Sequence, residues 1–148
     1  MSALFDKFLI LIMPARLVKR DFGCLLYAFS RLSSASPTQN SLVRQIIEKT
    51  ETRFSDSELS ISLLAKELGY NTKYLSHLFK RSTGKGYAEY LQTVRIKFAV
   101  SLFDYGLDSV KNAALLSGFS DPFYFSTVFK KLVGVSPKEY KKEGQKTP

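Results

Sequence analysis

The sequence contains one cysteine, Cys24, and one histidine, His77, among its 148 residues. A single cysteine excludes an internal disulfide, and one cysteine with one histidine offers too few ligands for a Cys/His zinc site. This usage favours a reducing, cytoplasmic setting and gives no reason to expect a metal ion or a cofactor. Acidic residues are also few, because Asp and Glu total 13 against 22 Lys and Arg, for a formal charge of +9. Polyanions are therefore the first partners to consider.

Long apolar runs are missing as well. The first 32 residues include 21 apolar ones, but the unbroken run covers only residues 8–13, and a membrane helix needs about 20. Asp6 and Lys7 precede this run, which argues against a secretion signal. We therefore predict no membrane partner. With 45% hydrophobic and 24% charged residues, the chain fits one globular domain with a short appendage.

The groupings that enzymes need are not found in the sequence. It has no nucleophile, base and orienting group at suitable spacing, and no glycine-rich phosphate loop. His77 has neither Cys24 nor a carboxylate in helical register with it, so we assign it no metal-binding or catalytic role. We predict that the protein is not an enzyme and has no catalytic residues.

Apolar residues recur at helical spacing from about residue 41 onwards, and no segment alternates as a half-buried strand does. The polar, proline-containing stretch 33–40 predicts a linker, which separates an apolar segment, 1–40, from a domain, 41–148. A first helix is expected from an N-cap at Ser41 to about Arg53.

Two stretches of this domain repeat each other. Residues 65–90 align with residues 114–140 after one inserted residue, and the identical pairs are Ala65/Ala114, Gly69/Gly118, Ser76/Ser126, Phe79/Phe129, Lys80/Lys130, Gly84/Gly134, Glu89/Glu139 and Tyr90/Tyr140. In each copy an alanine precedes a glycine by four residues, which suits two closely crossing helices and a turn residue with positive φ. Each copy is therefore a predicted helix-turn-helix, with Gly69 or Gly118 as its turn glycine.

The predicted fold is all-α, with two helix-turn-helix subdomains joined by a long connecting helix. The first unit covers about 59–82, the connecting helix about 86–104, and the second unit about 109–132. At about 100° per residue, the second helix of each unit has an apolar face and an opposite face that is free to contact a ligand. The opposite faces contain Lys73, Ser76, His77 and Lys80 in the first unit and Phe123, Ser126, Thr127 and Lys130 in the second. Two such helices could enter successive major-groove faces about 34 Å apart.

Residues 59–140 resemble the DNA-binding domain of the AraC/XylS family of transcription regulators. The second copy carries the most specific family signature, which reads AALLSGFSDPFYFSTVFKKLVGVSPKEY here, and the first copy reads LAKELGYNTKYLSHLFKRSTGKGYAEYLQTVRIKFA. The resemblance implies seven helices and promoter binding, with double-stranded DNA and RNA polymerase as partners. It implies no cofactor.

The resemblance also implies roles for individual side chains. Lys73, Ser76 and His77 occupy positions that commonly contact bases. The second unit departs from the family, which often has arginine where Thr127 stands. Phe123 and the Thr127 methyl group can still touch a thymine methyl, and the alternative is that this unit mainly contacts phosphates.

Basic residues recur at the end of both recognition helices. Lys80, Arg81, Lys130 and Lys131 are predicted phosphate contacts, because they stand at equivalent places beside the groove-facing surface. The alternative is an ordinary solvated face.

Residues 1–32 are too apolar for a free tail. We expect short helices that pack on the domain, form a homodimer, remain from a longer protein, or lie on a membrane surface. The predicted function is a sequence-specific DNA-binding transcription regulator. The alternative is a protein-interaction module that antagonises a longer regulator through this segment, with weak or no DNA binding.

Overall fold

The computed structural model describes residues 37–144 of the chain. Within that range the protein has seven α-helices and no strand: α1 Pro37–Arg53, α2 Ile61–Leu68, α3 Thr72–Thr83, α4 Tyr87–Asp104, α5 Val110–Leu116, α6 Pro122–Val133 and α7 Pro137–Gly144. The predicted all-α class is confirmed, as is the arrangement of two helix-turn-helix units joined by a long helix. None of the described helices combines the length and apolar character that a membrane span requires.

The start of the first helix differs from the prediction. α1 begins at Pro37, so Ser41 lies inside the helix and does not cap it. Proline is favourable in the first turn of a helix, where its missing N–H would have no partner in any case and its fixed φ is already helical. The predicted linker, 33–40, therefore overlaps the first turn of α1 from Pro37 onwards. The predictions for residues 1–32 and for Cys24 lie outside the described residues.

Both helix-turn-helix units have the same backbone conformation at the turn. Gly69 and Gly118 have φ values of 73° and 82°, in the left-handed region that favours glycine. In the first unit the Tyr70 amide donates to the Ala65 carbonyl at 2.9 Å, and the equivalent bond in the second unit has the same length. These are the bonds of a Schellman helix ending, so each turn glycine has the positive φ that the repeat predicts.

The repeat builds two similar hydrophobic cores. Phe79 and Phe129 are both fully buried, and each makes an edge-to-face contact with an equivalent tyrosine: Phe79 with Tyr90 at 5.4 Å between ring centroids, and Phe129 with Tyr140 at 5.8 Å. The connecting helix α4 contributes to both cores, with Leu91 in the first and a later group in the second: Ile96, Ala99, Val100 and Phe103. One continuous helix therefore links two separately packed units.

Candidate nucleic-acid interface

The second helix of the first unit, α3, separates its two faces as predicted. Its apolar residues Leu75, Leu78 and Phe79 are buried. Of the predicted contact residues, Ser76 is half-buried, and the exposed ones are Lys73, His77, Lys80 and Arg81. Packing against the core thus leaves a mainly basic surface on the outer side of α3.

Capping side chains set the starting points of both recognition helices. Asn71 Oδ1 accepts a hydrogen bond of 2.9 Å from the Lys73 amide, and Asp121 Oδ1 accepts one of 2.8 Å from the Phe123 amide. Pro122 follows Asp121 at the first helical position, where proline is favoured. Lys73 and Phe123 therefore lie in the first turn, the part of a recognition helix that contacts base edges in helix-turn-helix proteins.

The second recognition helix, α6, has a different outer surface. Phe123 is 86% exposed, while Phe125, Val128 and Phe129 on the other side are buried. Thr127 is exposed, and its Oγ1 donates to the Phe123 carbonyl at 3.1 Å. Because this hydroxyl uses its proton within the helix, Thr127 presents a methyl group and oxygen lone pairs to a ligand. The outer face of α6 is thus suited to apolar contact and to accepting hydrogen bonds.

The predicted phosphate contacts differ in their local partners. Arg81 Nη2 donates to Gln39 Oε1 of α1 at 3.0 Å, which uses one of the five guanidinium N–H groups. Lys130 lies near Glu139, whose pKa is lowered first by hydrogen bonds with Ser136 and further by the charges of Lys130 and Lys142. Arg81 and Lys130 are nevertheless exposed, as are Lys80 and Lys131. All four can reach a phosphate, and that role stays a prediction.

The predicted base contacts form two surfaces and not one pocket. Lys73, Ser76 and His77 belong to α3, whereas Phe123 and Thr127 belong to α6. The two surfaces are joined by α4, so their relative position depends on how each unit packs against that helix.

Sequence reasoning missed the residues that hold the two units together. Arg95 of α4 is only 9% exposed, and its guanidinium donates to the carbonyls of Phe54 and Asp56 at 2.8 and 2.7 Å. Burial lowers the pKa of Arg95, whereas electrostatic interactions with Tyr87 and Asp56 raise it. An arginine nevertheless stays charged in a folded protein at physiological pH. An arginine placed among the apolar residues of a connecting helix was the available signal.

A second missed contact involves Tyr124 of α6. Gln92 Nε2 of α4 donates to Tyr124 Oη at 2.5 Å, and the Tyr124 ring lies 6.1 Å from that of Phe119. Tyr124 is half exposed, so the helical periodicity of α6 alone did not distinguish it from a solvent-facing residue.

These observations define a class: a two-unit helix-turn-helix protein whose recognition helices each present an outer face. The model of a helix-turn-helix domain family matches residues 64–143. The chain belongs to this family, and its two-unit architecture is that of the AraC-type DNA-binding domain.

Known proteins of this type are similar over most of the described residues. The transcriptional regulatory protein YesN of Bacillus subtilis is 33% identical over 107 residues, which are 70% of this chain and 29% of YesN. The C-terminal domain of AraT, a response regulator from Geobacillus stearothermophilus, is 30% identical with a TM-score of 0.68, covering 74% of this chain and 88% of that one. The DNA-binding domain of AdpA, solved with a target DNA, shares the fold at 21% identity and a TM-score of 0.64, covering 68% and 90%.

Proposed function

We propose that this protein is a sequence-specific regulator of transcription that binds promoter DNA through α3 and α6. The observation that carries the proposal is the same in both units: the apolar face of the second helix is buried, and the opposite face, with its capped first turn, is exposed. A helix presented in this way fits the major groove. The net charge of +9 supports binding to a polyanion. A regulator of this kind acts in the cytoplasm, where the chromosome lies.

In this proposal the two units recognise different chemistry. In the first unit, Lys73 donates to guanine O6 or N7, and Ser76 and His77 contact neighbouring base edges. In the second unit, Phe123 and Thr127 contact thymine methyl groups. Lys80, Arg81, Lys130 and Lys131 contact phosphates, which adds affinity without sequence preference.

Two further partners belong to the proposal. RNA polymerase is the expected partner of a promoter-bound regulator, and residues 1–32 are expected to form a homodimer. Sedimentation of the full chain and of a variant lacking residues 1–36 tests the second idea, since deletion should convert a dimer into a monomer. A full chain that stays monomeric at high concentration contradicts it.

The rival function, antagonism of a longer regulator without DNA binding, is not favoured. A protein that had lost DNA binding would have no need to keep two exposed recognition faces, yet both α3 and α6 present them. The chain spans 29% of YesN, so the activity of longer relatives enters here only through the DNA-binding unit.

Selection of duplexes from a randomised library, followed by fluorescence anisotropy, tests the function. We expect tighter binding to the selected duplex than to a scrambled duplex of equal composition, with affinity for both falling as salt rises. Lys66→Ala is a matched control, because Lys66 is an exposed lysine of α2 outside the predicted contact surface. It should leave the ratio of the two affinities unchanged. Equal, weak binding of all duplexes by the wild-type protein would contradict the proposal.

A further inference from the structure

The position of one recognition helix relative to the other depends on the middle of α4. The first core ends on α4 at Leu91, and the second begins at Ile96. Arg95 lies between these two groups, and among the described residues it is the charged residue whose side chain is buried. Its side chain therefore lies where the two separately packed units meet.

Arg95 contacts both units at once. Its Nε and Nη2 donate to the carbonyls of Phe54 and Asp56, at 2.8 and 2.7 Å, and these residues follow α1 in the first unit. The guanidinium carbon also lies 5.6 Å from the ring centroid of Phe119, which follows the turn glycine of the second unit. A planar, rigid guanidinium can make two directed hydrogen bonds and stack on a ring together, which an ammonium group cannot.

The two turn glycines differ in their surroundings, because Gly118 lies against the junction between the units and Gly69 does not. A Cβ built on Gly118 would lie 2.4 Å from the Phe54 carbonyl oxygen and 3.0 Å from Arg95 Nε, whereas a Cβ on Gly69 meets nothing within 4 Å. Both glycines have positive φ, so both serve their turns. Gly118 additionally allows the second unit to approach the loop of the first.

We propose that Arg95 and Gly118, packed on the loop of residues 54–56, hold the two recognition helices in one relative position and thereby make the protein select DNA by the spacing between its two half-sites. The hydrogen bond from Gln92 to Tyr124 supports the same arrangement from the outer side of α4. Arg95 and Gly118 are positioning residues in this view, because neither is among the predicted DNA contacts. The inference rests on the proposed function.

The test compares duplexes that carry the selected site with its two half-sites moved apart or together one base pair at a time. The wild-type protein should bind best at one spacing. Its affinity should fall about tenfold or more at any other spacing, because the second unit then loses its contacts with DNA. Arg95→Met retains an unbranched, flexible side chain but removes the guanidinium and with it both hydrogen bonds. It should bind the best duplex more weakly and show a flatter dependence on spacing. Arg95→Lys should not restore the sharp dependence.

The glycines provide a matched pair of variants. Gly69→Ala and Gly118→Ala place the same methyl group at a positive φ, but only the second meets the opposing loop. We expect Gly118→Ala to shift or broaden the spacing optimum, and Gly69→Ala to lower thermal stability with the optimum unchanged. If Gly118→Ala does not fold, the Arg95 variants and Gln92→Ala decide the question.

A measurement without DNA separates positioning from general destabilisation. Spin labels at Lys80→Cys and Lys130→Cys, in a Cys24→Ser background, report the distance between the recognition helices. The distance distribution should broaden in Arg95→Met while circular dichroism shows unchanged helix content. An unchanged distribution together with a wild-type spacing profile overturns the inference, as does a wild-type protein that binds every spacing equally. Wild-type protein that binds no selected duplex overturns the proposed function instead.

Discussion

Lys73 and Phe123 are the second residues of α3 and α6, equivalent places in the two copies of the repeat, and both are exposed. Lys73 presents an ammonium group at the start of α3, and Phe123 presents an aromatic ring at the start of α6. The two units therefore share a backbone but differ in what they can recognise.

Replacing Lys73 should affect specificity, whereas replacing Lys130 should not. Lys73→Ala removes a donor from the first turn of α3, so we expect a loss of about 1–3 kcal/mol on the selected site and a weaker base preference. Lys130→Ala should weaken binding to all sequences and lower the slope of log K against log salt by about one. Anisotropy titrations at several salt concentrations measure both effects. Equal losses on selected and scrambled DNA for both variants would contradict this division.

Adding a guanidinium to α6 should create guanine recognition. Thr127 is exposed and cannot make the bidentate contact that arginine makes with guanine. Thr127→Arg should tighten binding to sites with a guanine at the matching position by about 1–3 kcal/mol. Site selection with both proteins at the same salt concentration checks this. The absence of a new guanine from the sites selected by the variant would show that Thr127 does not face a base.

Two phenylalanines of α6 should separate stability from DNA binding. Phe129 is fully buried among the rings of Phe103, Phe125 and Tyr140, so Phe129→Ala should cost about 3–5 kcal/mol of unfolding free energy. Phe123 is 86% exposed, and Phe123→Ala should stay within about 0.5 kcal/mol of wild type while weakening the preference for thymine. Urea unfolding gives the first quantity and site selection the second. A large loss of stability in Phe123→Ala would place its ring against the protein and not in solvent.

The ion pairs between α1 and α2 predict a pH dependence of stability. Glu67 accepts hydrogen bonds from Arg53 at 2.7 Å and from Lys49 at 3.2 Å, and these bonds, led by that of Arg53, hold the pKa of Glu67 below its ordinary value. A lowered pKa in the folded state contributes stability above the ordinary value of 4.5, and this contribution is lost as the pH falls through the lowered value.

Glu67→Gln should therefore reduce Tm slightly at neutral pH, and the difference from wild type should disappear in strong acid. The effect should be small because the pair is partly exposed. The measurement is thermal unfolding, followed by circular dichroism, at a series of pH values from neutral to strongly acidic. Glu48→Gln is the matched control, since Glu48 is an exposed glutamate of α1. An equal effect of the two substitutions at every pH would assign the loss to net charge and not to the ion pairs.

Local rules explain why most of the helices could be predicted. Asn71 and Asp121 are good helix caps, and α3 and α6 begin directly after them and end at their C-caps, Gly84 and Gly134. The error at α1 arose because proline is compatible both with a linker and with a first helical turn. In the described residues Pro37 is the first residue of α1.

The outer faces of the recognition helices were predictable for a similar reason. Once Leu75 and Phe125 point into a core, the helical period sets which side chains point away from it. The identity of Lys73, Thr127 and their neighbours then follows directly from the sequence. Their contacts with bases and phosphates stay predictions.

The sequence alone therefore determined the repeat, which direct comparison of residues 65–90 with residues 114–140 shows. It also determined the helical class, the turn glycines and the composition of each recognition face, because these depend on residues within about one helical turn of each other. The tertiary structure decided how the two units are joined. Gly69 and Gly118 are equivalent in the repeat, yet only Gly118 lies against another unit. Arg95 is likewise one polar residue in a helical pattern until the loop after α1 packs on α4 and brings the Phe54 carbonyl to 2.8 Å from its Nε. Contacts between residues about forty positions apart depend on the packing of whole helices, which no local pattern in the chain specifies.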